Sequence, residues 1–139
     1  MNQSLDQNDY ILANLEFSGY YRVNYEVNNW KNIIKKLQTN KSEFTAKTRA
    51  QLINDIFSLS QTTVISPDLP LELIGYLKNE FEFLPVAAFL TRIKYYLDML
   101  SSNQLNLDLK TYLASLINPI YEQIGWYENT TNVDHWLLK

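Results

Sequence analysis

SGYYRVNYEVNNW, residues 18–30, changes its period halfway along. From Tyr20 to Tyr25 the residues favour extended chain and alternate, so that Tyr21, Val23 and Tyr25 would share one face and Tyr20, Arg22 and Asn24 the other. With Tyr10–Leu15 on the other side of the EFSG segment, this predicts a β-hairpin. A lone two-stranded hairpin is marginal in water, so it needs a sheet or a helical layer to lie against. After Tyr25 the spacing becomes helical. Trp30, Ile33, Ile34 and Leu37 fall at i, i+3, i+4 and i+7, with Lys31, Lys35 and Lys36 turned outward and Asn28 or Asn29 placed to cap the first turn.

Four further helices follow from the same periodicity. The second is expected over Thr45–Ser60, burying Leu52, Ile53, Ile56 and Phe57, and the third over Leu69–Lys78, with Pro67 and Pro70 near its start. A fourth from Pro85 to Leu100 carries Phe89, Leu90, Ile93, Leu97 and Leu100 as its stripe. The fifth, Leu107–Ile124, should bend or break at Pro119 and end at Gly125. NVDHWLLK, residues 132–139, begins a sixth. Taken in pairs, these make helix hairpins starting near Trp30, Leu71 and Leu107, a spacing of roughly 40 residues that suits HEAT or armadillo-type arrays. The fold class is therefore mainly α: an N-terminal β-hairpin followed by antiparallel helix pairs of an incomplete α-α superhelix.

Composition excludes several functions. The 139 residues are 46% hydrophobic and 14% aromatic, enough for one domain with a real core. Twelve basic against fifteen acidic residues give a net charge of −3 without a basic run, which argues against a nucleic-acid partner. No apolar run reaches the ~18 residues a membrane span needs, so no direct membrane insertion is expected. With no cysteine and a single histidine, His135, neither a thiolate site nor a His-Glu-x-x-His zinc helix can be written. Three glycines cannot build a phosphate loop. Glu43, Glu80 and Glu82 read as hydrated carboxylates in loops or cap positions. No catalytic, cofactor-binding or metal-ligating residue is expected in the chain. Asn2, Asn40 and Asn129 head Asn-x-Ser/Thr sequons, and Asn40 and Asn129 are the candidate glycosylation sites.

One surface invites contact. Arg92, Lys94, Tyr95, Tyr96 and Asp98 interleave charge and phenol around the fourth helix, and Arg92, Tyr95, Tyr96 and Asp98 are candidates to touch a peptide or a partner domain. The same composition also fits a helix with one solvated face.

ILANLEFSGYYRVNYEVNNW (11–30), TRAQLINDIFSLSQ (48–61), LELIGYLKNEFEFLPV (71–86) and YEQIGW (121–126) follow one another in an order that resembles the zinc aminopeptidases of the M1 family, particularly the aminopeptidase N branch. GYYRVNY followed by a tryptophan, and then by RAQLIND, is the specific part; the resemblance covers about Tyr10 to Lys139. It implies that residues 1–26 are terminal strands of a β-sandwich domain and 27–139 the N-terminal part of the helical C-terminal domain. It also implies that the zinc helix and substrate-amine loop lie upstream, so that zinc belongs to the parent enzyme and no activity is expected of this chain alone. The implied partners are the catalytic and β-sandwich domains of the parent, with peptide substrates reaching the helical domain where it covers the active-site cavity. The counterparts of one relative's substrate-contacting Tyr-Lys pair are Leu97 and Asp98, which depart from it, and Arg22 reads as structural. The branch implies an extracellular or plasma-membrane ectodomain, with the cytoplasm as the alternative. A stand-alone helical-repeat interaction module derived from such an enzyme is the other reading of the chain.

Overall fold

The computed structural model describes residues 9–101 and 105–124. Five helices carry them: α1 (Val27–Asn40), α2 (Ala46–Gln61), α3 (Asp68–Leu73), α4 (Phe83–Met99) and α5 (Leu105–Ile124). Short 3-10 turns occupy Leu15–Phe17 and Lys41–Glu43, and α3 tightens into a 3-10 segment at Ile74–Asn79.

The predicted hairpin is absent: no strand forms among the described residues. The backbone groups that a ladder would pair are taken by side chains instead. Ile11 donates its N–H to Asn29 Oδ1 (2.8 Å) and its carbonyl accepts from Asn29 Nδ2 (2.9 Å), while the Ala13 N–H donates to the Tyr25 hydroxyl (2.9 Å). The connection also turns too tightly for a strand. Asn14, Glu16 and Phe17 have φ of 53°, 57° and 59°, a left-handed conformation that asparagine tolerates best. The buried Asn14 amide clamps this turn, accepting from the Gly19 N–H (2.6 Å) and donating to the Gly19 and Tyr21 carbonyls (3.0 and 2.7 Å).

Commitment of Asn29 to Ile11 also removes it as a cap. α1 begins two or three residues earlier than expected, after Glu26, and no side chain caps it. Its buried face is the expected one, Trp30, Ile33, Ile34 and Leu37. In α2, Thr45 Oγ1 accepts the Thr48 N–H (3.2 Å), and Leu52, Ile53, Ile56 and Phe57 are buried as their spacing requires.

α4 keeps most of its expected face, with Phe89 and Ile93 buried and Leu97 and Leu100 packed against the core, but Leu90 drops out of it and Val86 and Tyr96 join it. Val86, Phe89, Ile93 and Tyr96 face inward, whereas Leu90 is 46% exposed. The Tyr96 ring meets Phe57 of α2 edge-on, with centroids 5.3 Å apart, a geometry favoured by aromatic quadrupoles. α5 continues through Pro119 without a break. The missing amide leaves the Ser115 carbonyl without its helical donor, and Ser115 lies on the exposed side, where water can serve it. Leu109, Leu113, Leu116 and Ile120 form its buried face.

The packing has an order. α2 lies mainly against α4, α3 lies against both α1 and α2, and the 3-10 extension of α3 packs against α5. One apolar cluster runs through all of them, from Trp30 and Phe44 to Leu116. The expected sixth helix lies outside the described residues.

Candidate functional site

The four candidates on α4 do not converge. Arg92 turns back to α2 and donates from Nε to Asn54 Oδ1 (2.8 Å) and from Nη2 to the same oxygen. Tyr96 is buried, its hydroxyl beside that of Ser60, and neither oxygen has a partner in hydrogen-bonding geometry. Burial pushes the Tyr96 phenol above its ordinary range, and the nearby Ser60 hydroxyl partly offsets this. Tyr95 is half exposed and lines, with Val64, Ile65 and Met99, an apolar groove of about 400 Å³ between the end of α2 and α4. Asp98 pairs with Lys94 one turn away at 3.1 Å, both well exposed.

Sequence reasoning missed the deepest charge. Glu80, expected to be hydrated, is fully buried. Its carboxylate accepts from Arg49 Nε (2.6 Å) and Nη2 (3.2 Å), from Lys41 Nζ (3.4 Å), and from the Phe81 and Glu82 N–H groups (3.0 and 3.1 Å) at the start of α4. Arg49 Nη1 also reaches the Phe44 carbonyl at 2.5 Å. One carboxylate thus ties α2, the 41–43 turn and the N-terminus of α4 together. Burial, and then the adjacent Glu80 charge, push the Tyr76 phenol well up. The only hint in the sequence is the arginine of RAQLIND, whose partner lies 31 residues away.

A second cleft, of about 390 Å³, is framed by the N-terminal segment and α2. Phe17, Tyr20 and Tyr21 line it with aromatic rings, and Arg22, Asn54 and Asp55 supply its polar groups. Arg22 Nε stands 3.8 Å from Asp55 Oδ1, the arginine side chain half exposed and the aspartate 5% exposed. Burial raises the Asp55 carboxyl above its usual range, while the Val23 N–H, Arg22 and the Gln51 side chain pull it back. Arg22 thus faces α2 through a long ion pair, while part of its guanidinium remains open.

Asn40 is exposed and donates from Nδ2 to Glu43 Oε1 (2.7 Å); Asn2 and Asn129 lie outside the described residues, as does His135. Among the described residues no group of three or more His, Cys, Asp or Glu could hold a metal ion. No described helix is long and apolar enough to cross a membrane.

The chain is similar to several known proteins. The ERAP1-like C-terminal domain family matches residues 10–139. The thyrotropin-releasing hormone-degrading ectoenzyme of Rattus norvegicus is 36% identical over 129 residues, covering 92% of this chain and 12% of that protein. Aminopeptidase N of Oryctolagus cuniculus is 36% identical over 125 residues, 90% of this chain and 13% of the relative. Glutamyl aminopeptidase of Mus musculus is 28% identical over 134 residues, 96% and 14% respectively. The chain thus spans about an eighth of the length of these relatives, and it belongs to the ERAP1-like C-terminal domain family of the M1 aminopeptidases.

Proposed function

We propose that this chain is a non-catalytic part of the C-terminal domain of an M1 zinc aminopeptidase, one that covers the active-site cavity and helps restrict or position peptide substrates. The observation that carries the reading is the N-terminal segment. Ile11, Leu15, Phe17, Tyr20 and Tyr21 are each 48% exposed or more, Tyr20 fully. So many large apolar side chains on one short segment mark a contact surface, and the family resemblance supplies the partner, the β-sandwich domain of the parent. On this reading residues 1–26 complete that domain, and their extended stretches adopt strand pairing once it is present.

The order of helix contacts, α1 with α3, α3 with α5 through its extension, and α2 with α4, suits the first pairs of a HEAT-like array. Tyr95 and Asp98, exposed on α4, remain the candidates to meet a peptide or a neighbouring domain. Arg92 and Tyr96 contribute by holding α4 to α2. Zinc and its chemistry lie in the catalytic domain of the parent. The relatives named as an ectoenzyme and as aminopeptidases favour an ectodomain carrying glycans at Asn40 and Asn129.

The test is association. The separately expressed β-sandwich domain of rabbit aminopeptidase N, lacking its own counterpart of this chain, should form a one-to-one complex with it, and Tyr20→Asp/Tyr21→Asp should abolish the complex. A complex unaffected by those changes, or none under conditions where both partners are folded, contradicts the assignment. The chain alone should not hydrolyse leucyl or alanyl amides in the presence of zinc.

A further inference from the structure

The backbone of residues 9–13 is engaged along one edge only. The Ile11 N–H and carbonyl pair with the Asn29 amide (2.8 and 2.9 Å), and the Asp9 carbonyl accepts from Asn32 Nδ2 (2.8 Å). The Ala13 N–H donates to the Tyr25 hydroxyl (2.9 Å), and its carbonyl accepts from that hydroxyl and from Gln51 Nε2 (both 3.4 Å). Residues 10 and 12 are skipped: among the described residues, neither Tyr10 nor Leu12 makes a backbone hydrogen bond. Burial alternates in step. Tyr10 and Leu12 are half buried over the core, with the Tyr10 ring stacked on Phe44 at 5.4 Å, while Ile11 and Ala13 are exposed. Both alternations have the period of an extended strand, whose side chains point to opposite faces and whose N–H and carbonyl groups point to opposite edges from one residue to the next.

A strand edge with unpaired backbone groups is a template for another strand. Here Tyr25, Asn29 and Asn32 already stand where one neighbour would lie, and the opposite edge is free; Leu12 borders a cleft of about 330 Å³ shared with Leu15, Phe44, Thr45 and Thr48. We infer that residues 9–13 are a strand-addition site: side chains at the start of α1 close one edge, and the Tyr10 and Leu12 backbone groups take an extended strand of the parent's β-sandwich domain on the other. The inference rests on the reading of this chain as a partner of that domain, and the exposed Ile11 and Leu15 continue the same contact surface. Donors and acceptors that recur every second residue are matched by another extended backbone, so the partner strand is recognised by its conformation more than by its side chains. Asn29 is a positioning residue: by holding both backbone groups of Ile11 it fixes the register of the added strand against α1, and so the seating of the helices on the sandwich.

Hydrogen exchange followed by amide NMR tests both edges. In the 139-residue chain alone, which needs no partner, the Ile11 and Ala13 amides should exchange about 10-fold more slowly than those of Tyr10 and Leu12, and Asn29→Ala should remove the protection of Ile11 while that of Ala13 persists. In a second protein, the β-sandwich domain of rabbit aminopeptidase N, lacking its own counterpart of this chain, is joined ahead of Met1. There the Tyr10 and Leu12 amides should slow by about 100-fold or more. Equal exchange across residues 10–13 in the chain alone overturns the proposal, as does free exchange of Tyr10 and Leu12 in the joined protein. Burial of Tyr20 and Tyr21 in the joined protein reports the domain contact separately, so strand addition can fail while the assignment of the partner stands.

Discussion

Replacing Glu80 with alanine should be among the most costly single changes in the chain. The substitution strips Arg49, whose side chain is 7% exposed, of two charge-assisted hydrogen bonds, and Lys41 of a third. It also leaves the Phe81 and Glu82 N–H groups without the acceptor that starts α4. Removing one partner of a buried ion pair costs about 3–5 kcal/mol, because the other charge stays buried and unpaired. A single domain has only ~5–15 kcal/mol in total. For a chain of this size the loss corresponds to a fall in Tm of roughly 10–15 °C, read by far-UV circular dichroism. Methionine at both positions, Arg49→Met/Glu80→Met, fills the space without charge and should cost less than Glu80→Ala alone, since apolar replacement of a buried pair is often near neutral. A fall in Tm below about 3 °C for Glu80→Ala would refute the reasoning, because the carboxylate would then be hydrated, as its sequence context suggested.

Three other outcomes follow from the same structure. Phe89→Ala should cost about 3–5 kcal/mol and Leu90→Ala under about 1, since Phe89 is buried and Leu90 is not; chemical denaturation in which Leu90→Ala costs as much as Phe89→Ala would put Leu90 in the core, as its spacing suggested. Tyr96→Phe deletes a buried hydroxyl that has no partner and should leave stability unchanged or raise it by up to about 1 kcal/mol; a loss larger than that would reveal a hydrogen bond. The phenols of Tyr76, Tyr25, Tyr96 and Tyr112 are all raised, chiefly by burial. Because the folded values lie above the unfolded one, their contribution is intact below pH 10 and declines as pH climbs above it. Each deferred ionisation steepens the decline by about 1.4 kcal/mol per pH unit, so absorbance at the phenolate band should rise late and together with unfolding, and Tyr76→Phe should make the decline shallower.

What the sequence revealed was local. The inward faces of α1 and α2 follow from apolar residues three and four apart, and those helices bury the residues that this spacing selects. The N-terminal segment was misread because alternation says only that a chain could extend, not what its backbone would bond to. Here Asn29, Tyr25 and Asn14 take over groups that a second strand would have used. α4 was misjudged only at Leu90 and Tyr96: a tyrosine ring can bury as much apolar surface as a leucine, and Tyr96 packs edge-on against Phe57 while Leu90 is exposed. Glu80 and the Arg22–Asn54 cleft escaped for one shared reason: each joins residues about 30 apart or more, and spacing within a helix carries no information about that.

The most direct test of the account is the dependence of hydrolysis on peptide length in rabbit aminopeptidase N, compared among the intact enzyme, an enzyme lacking the counterpart of this chain, and a chimera carrying this chain in its place. If the chain covers the cavity, the shortened enzyme should lose discrimination between short and long peptides in kcat/KM, and the chimera should regain it while retaining its activity on alanyl amides. A folded, active chimera whose length dependence matches that of the shortened enzyme would contradict the central claim.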